Sequence, residues 1–156
     1  MSNLYQFTRA FIVVSAFLVT SASAEVKLPS IFSDHMVLQR DLACKVWGWA
    51  EPGEQVAVSI GDQSLAATAD NEGSWSVNLL PLEAGGPHKL TVKGSNEISF
   101  EDVLVGEVWI CSGQSNMAWP VSSAVDPDLE SLSANYPNIR LISVPQVGTQ
   151  EPQKDF

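Results

Sequence analysis

Between residues 44 and 100 the chain is cut by turn-forming clusters into short segments, and no helix of ordinary length fits between them. The clusters are Glu51-Pro52-Gly53-Glu54, Gly61-Asp62, Asp70-Asn71-Glu72-Gly73-Ser74, Ala84-Gly85-Gly86-Pro87 and Gly94-Ser95-Asn96-Glu97. Each combines residues that accept positive φ or fix a turn. The intervening segments, 44–49, 55–60, 63–69, 75–79, 88–93 and 98–100, are rich in Val, Ile and Trp, and several alternate apolar with polar. Period-two alternation over such lengths predicts half-buried antiparallel strands. Residues 25–102 therefore read as a β-sandwich domain, large enough at about 78 residues to bury a modest core.

Three tryptophans fall on these strands, and they permit two readings. Trp47 and Trp75 sit among alternating apolar residues, as core side chains do. Trp47 and Trp49 are two apart and share a face, so a regular strand buries or exposes them together. If exposed, they form an aromatic platform for sugar rings, which makes a non-catalytic carbohydrate-binding or scaffolding module the alternative function for this region.

The amino terminus has the anatomy of an export signal. Arg9 precedes an apolar run at residues 10–19, and Ala22-Ser23-Ala24 supplies the small residues of a cleavage site. The run is too short for a spanning helix, which needs roughly 20 apolar residues. Residues 1–24 are thus expected to be a signal peptide, with the mature chain secreted or periplasmic and not held in a membrane. The formal net charge of −10 over the full 156 residues makes nucleic acid an unsuitable partner, because no basic stripe is present to displace phosphate counterions. The same field disfavours anionic ligands unless a local basic pocket compensates.

Beyond Asp102, the apolar positions Val103, Leu104, Val105, Val108, Trp109 and Ile110 read as a buried strand, and Gly113 ends it. Ser115 follows on a Gly113-Gln114-Ser115-Asn116 turn. A tight turn after a strand exposes a hydroxyl and directs backbone N–H groups at the space above it, the arrangement of a serine nucleophile with its oxyanion hole. The same four residues also suit an ordinary turn whose side chains bond their own backbone. Asp126-Pro127 then marks a helix start, with Asp126 as cap and Pro127 in the first position, and residues 139–144 read as a second parallel strand.

Three blocks carry a family resemblance in order along the chain. Gly106 to Pro120, reading G-E-V-W-I-C-S-G-Q-S-N-M-A-W-P, resembles the nucleophile block of the sialate O-acetylesterase family. Residues 28–39, L-P-S-I-F-S-D-H-M-V-L-Q, are similar to that family's opening, and 135–141, N-Y-P-N-I-R-L, to its next segment. These enzymes are SGNH-type hydrolases in which Ser, His and Asp remove acetyl groups from sugars. The resemblance implies an acetylated carbohydrate substrate, Ser115 as nucleophile, and Gly113, Gln114 and Asn116 at the turn and oxyanion hole. It also implies that residues 103–156 open an α/β flavodoxin-like domain with a first βαβ unit. Only about 54 residues follow Asp102, and each βα unit takes about 30 or more. The family's Asp-x-x-His block has no counterpart in this sequence. The expectation is an inactive amino-terminal portion of such an esterase.

Neither histidine supplies the missing base from sequence alone. His35 follows Asp34, but neighbouring side chains on an extended strand point to opposite faces. His88 follows Gly-Gly-Pro at a hairpin entry and reads as a solvated turn residue. No His/Cys/Asp cluster has ligand spacing, so neither a metal nor a cofactor is expected. The two cysteines, Cys44 and Cys111, read as separate buried thiols in preference to a bridge, since nothing in the sequence brings them within bonding distance.

Overall fold

A computed structural model describes residues 24–155 of the chain. Residues 1–23, nearly all of the expected leader, lie outside the described residues. The fold is mostly strand, with β1 (Val37–Gln39), β2 (Cys44–Trp49), β3 (Gln55–Ile60), β4 (Gln63–Thr68), β5 (Ser74–Leu79), β6 (Gly85–Lys93) and β7 (Glu97–Gly106). One sheet has the order β1-β7-β6-β3-β4 and the other pairs β2 with β5. All pairings are antiparallel except β1 with β7.

The alternation anticipated from sequence decides which face is inward. Val56, Val58 and Ile60 of β3, Val77 and Leu79 of β5, Leu90 and Val92 of β6, and Val103 and Val105 of β7 are all buried, together with Val46 of β2. They form one apolar cluster. Each such side chain contributes roughly 1.5–3 kcal/mol by leaving water, which offsets the cost of ordering these short strands. Gly61 has φ +55 at the first position of the two-residue β3–β4 loop, and Ile60 pairs with Gln63 across it. Glycine meets that left-handed conformation without steric cost.

Gly48 serves close packing. A Cβ there would lie 2.0 Å from the Lys27 carbonyl oxygen and 3.0 Å from the Trp75 ring. Its absence lets the amino-terminal segment bridge β2, where Lys27 and Trp49 exchange two backbone hydrogen bonds at 2.8 and 2.9 Å. The same gap seats the Trp75 indole over the β2 backbone, where Trp75 is only 4% exposed.

The second half of the chain departs from expectation. The run 103–105 does not open a separate sheet. It is the end of β7, with Val103 opposite His88, Val105 opposite Gly85 and Leu104 beside Val37. Antiparallel pairing with β6 and parallel pairing with β1 are both at hand for these residues. Past Gly106 no neighbouring strand exists among the described residues. Residues 139–144 accordingly form no strand, because an unpartnered parallel strand leaves its backbone groups without ladder bonds. The βαβ unit is therefore not formed, and Val108, Trp109, Ile110, Leu141 and Val144 are exposed. The helix signal was sound: α1 (Pro127–Ser133) starts at Pro127, although Asp126 caps it with φ +51 and no side-chain hydrogen bond. No helix among the described residues is long and apolar enough to cross a membrane.

Both thiols are free and separate. Cys44 is half-buried, with its Sγ 3.2 Å from the Gln39 carbonyl, and burial pushes its pKa up. Cys111 is exposed, contrary to the expected burial, because the segment that carries it joins no sheet.

Candidate functional site

The segment bearing Ser115 leaves the sheet at Gly106 and is tied back only briefly. The Val108 N–H donates to Gln39 Oε1 at 2.9 Å, and Gln39 Nε2 donates to Glu107 Oε2 at 3.2 Å. Gln114 is extended, at φ −80 and ψ −176, and the chain then turns tightly into a 3₁₀ helix over Ser115–Ala118. The Met117 N–H donates to the Gln114 carbonyl at 2.9 Å, and the Trp119 N–H to the Asn116 carbonyl at 3.2 Å. A Cβ at Gly113 would meet Met117 Cγ at 2.8 Å, so this glycine lets the turn fold against Met117. The Trp119 indole N–H donates to the Ser123 carbonyl at 3.1 Å and fixes the exit from the turn.

Gly113, Gln114, Ser115 and Asn116 are all exposed on this turn. The Ser115 hydroxyl makes no hydrogen bond among the described residues, so neither histidine is brought to it. His88 is half-buried on β6 opposite Val103. His35 is engaged elsewhere: its Nδ1 lies 2.7 Å from Asp102 Oδ2.

His35 does not pair with its neighbour Asp34, in line with the sequence reading. Asp34 Oδ1 instead accepts the Glu101 N–H at 2.7 Å. Asp102 Oδ2 also accepts from Arg140 Nη2 at 2.7 Å, so a cation from the last third of the chain meets the rim of the sheet. The hydrogen bond from His35, then the Arg140 charge, holds the Asp102 carboxyl below its ordinary pKa. The Nε of Arg140 is buried and has no hydrogen-bond partner among the described residues. Both His35 and Asp102 adopt left-handed φ, +65 and +52, which aims the two side chains at each other. Sequence reasoning missed this cluster, because its only signal is a pair of unusual backbone conformations.

The described residues hold no group of three or more His, Cys, Asp or Glu able to share a metal ion.

No protein-family model matches the chain. Among curated proteins it is 32% identical over 149 residues to the sialate O-acetylesterase of Homo sapiens, and 31% identical over 149 residues to that of Mus musculus. Each match covers 87% of this chain and 28% of the relative, so the chain spans little more than a quarter of the curated relatives it matches. Among solved structures, a carbohydrate acetylesterase from Xanthomonas citri superposes with a TM-score of 0.69 at 42% identity, covering 72% of this chain and 26% of that one. Sequence and fold agree: the chain belongs to the sialate O-acetylesterase family.

Proposed function

We propose that these residues are the β-sandwich and nucleophile segment of an exported carbohydrate esterase that removes O-acetyl groups from sugars. The observation that carries the reading is the exposed Gly113-Gln114-Ser115-Asn116 turn, in a chain 42% identical to a carbohydrate acetylesterase of known structure. In this reading the two sheets, which run to Gly106, form the sandwich, residues 1–24 are a cleaved signal peptide, and the chain beyond Gly106 belongs to the SGNH hydrolase domain. Ser115 Oγ attacks the acetyl carbonyl and gives its proton to a histidine base. The sugar oxygen leaves with that proton, and water then releases acetate from the acetyl-enzyme. The Ser115 N–H and the Gly113-Gln114 turn contribute to the oxyanion hole, and Asn116 lines it.

A lone serine is a weak nucleophile at neutral pH. His35 is committed to Asp102 and His88 to the β6 strand, so for the 156 residues taken alone the expected acetyl release is close to the uncatalysed rate. The reading is tested by treating the protein expressed from its full reading frame with a fluorophosphonate and mapping the adduct by mass spectrometry. Stoichiometric labelling of Ser115, blocked by an acetylated sugar, supports it. Labelling of another serine with Ser115 unmodified refutes it.

A further inference from the structure

On β2 the inward positions Val46 and Gly48 are buried, and the alternate positions Lys45, Trp47 and Trp49 lie on the opposite face. Across the ladder, Trp47 stands opposite Ser76 and Trp49 opposite Ser74. This face lines an open cleft of about 530 Å³, to which Ala67 and Thr68 of β4, Asp70 and Lys154 also contribute. Small-molecule sites fall in the range of about 300–1,000 Å³.

Two features make the cleft more than a fold between strands. Trp47 is held edge-on by Phe32, with ring centroids 4.9 Å apart and an interplanar angle of 73°, so its indole is positioned before any ligand arrives. Trp49 is half-buried on the same strand, about 7 Å further along, a spacing that two adjoining sugar rings cover.

We infer that this cleft is a glycan-binding site, separate from Ser115, in which pyranose rings stack on Trp47 and Trp49. Ring and hydroxyl oxygens accept hydrogen bonds from Ser76 and the two lysines. Neither Lys45 nor Lys154 is ion-paired among the described residues, so their ammonium groups are free to meet sugar hydroxyls or a sugar carboxylate. The shared chemistry is the pyranose ring, and charge separates neutral from acidic glycans. The inference does not rest on the esterase reading, since no residue of the 113–116 turn takes part.

The test is nuclear magnetic resonance of the ¹⁵N-labelled protein titrated separately with xylohexaose and trigalacturonic acid. Expected are shifts of the Trp47 and Trp49 indole signals with either probe, while those of Trp109 and Trp119 stay fixed. Shifts with trigalacturonic acid that fade at high salt assign an acidic glycan, and salt-insensitive shifts with xylohexaose a neutral one. Trp49→Ala should weaken binding at least tenfold. Ser76→Glu, at an exposed position, should do the same by filling the cleft and pairing with the lysines without touching the core. Ser115→Ala should bind as the parent does, which keeps the outcome separate from that of the esterase reading. Absence of shifts with both probes, or shifts that survive both cleft substitutions, would overturn the inference.

Discussion

The Asp102 carboxylate accepts the guanidinium of Arg140 at 2.7 Å, joining residues 38 positions apart. This contact anchors the irregular carboxy-terminal third to the rim of the five-stranded sheet, at the point where β7 also receives His35. It shields the peptide bond after Arg140 by restraining the side chain that a trypsin-like protease must take into its pocket. Asp102→Ala should therefore speed tryptic cleavage after Arg140 several-fold and leave cleavage after the exposed Lys154 unchanged. Equal acceleration at both sites would mean that the contact anchors nothing in particular.

The same contact sets a pH dependence. His35 and then Arg140 depress the Asp102 pKa in the folded chain. A depressed carboxylate contributes stability that is fully present above its ordinary pKa, near 4, and is lost as pH falls through the depressed value. The Asp102 carboxyl carbon followed by NMR should titrate with a midpoint below that of the exposed acids. The Arg140 site should open to protease only in the acid range. A midpoint at or above the ordinary value would contradict the geometry.

Leu90 has no exposed surface, whereas Leu141 is 93% exposed. Leu90→Ala should cost about 2–5 kcal/mol in urea unfolding, because it removes transfer energy and leaves a cavity. Leu141→Ala should stay within about 0.5 kcal/mol. Similar losses at the two positions would show that residues 139–144 pack more closely than the structure describes.

The buried apolar side chains of the described residues all lie between Val26 and Val105. A chain of residues 24–106 should therefore unfold cooperatively by itself. It should also bind much less of a hydrophobic dye than the 24–156 chain, whose Trp109, Ile110, Val125, Leu132 and Leu141 face solvent. Loss of the cooperative transition on shortening would place part of the core beyond Gly106.

Particular residues explain how much of this could be read from the sequence. The strands from Cys44 to Lys93 were legible because Gly53, Gly61 and Gly73 mark their turns and Val56, Val58 and Ile60 alternate. Their pairing was less legible: β3–β4 joins successive segments, whereas β2–β5 and β3–β6 each skip two strands, which alternation does not reveal. β1 was not anticipated, since its three residues carry no alternation of their own and are fixed by pairing with β7, more than sixty positions away. The end of β7 was misread for a related reason. An apolar run such as 103–105 has the same appearance whether it completes one sheet or begins another. The turn around Ser115 was legible through Gly113 and its neighbours. The partnership of His35 with Asp102 was not, because it depends on left-handed backbone at both residues and on the β1–β7 register.

The central claim, that Ser115 is the nucleophile of a carbohydrate esterase, is most directly tested by acetate release from O-acetylated sugars. The protein expressed from its full reading frame should be measured beside its Ser115→Ala variant. Turnover is expected in the parent and a loss of several orders of magnitude in the variant, with binding of the substrate retained. Turnover at the parental rate in Ser115→Ala would contradict it.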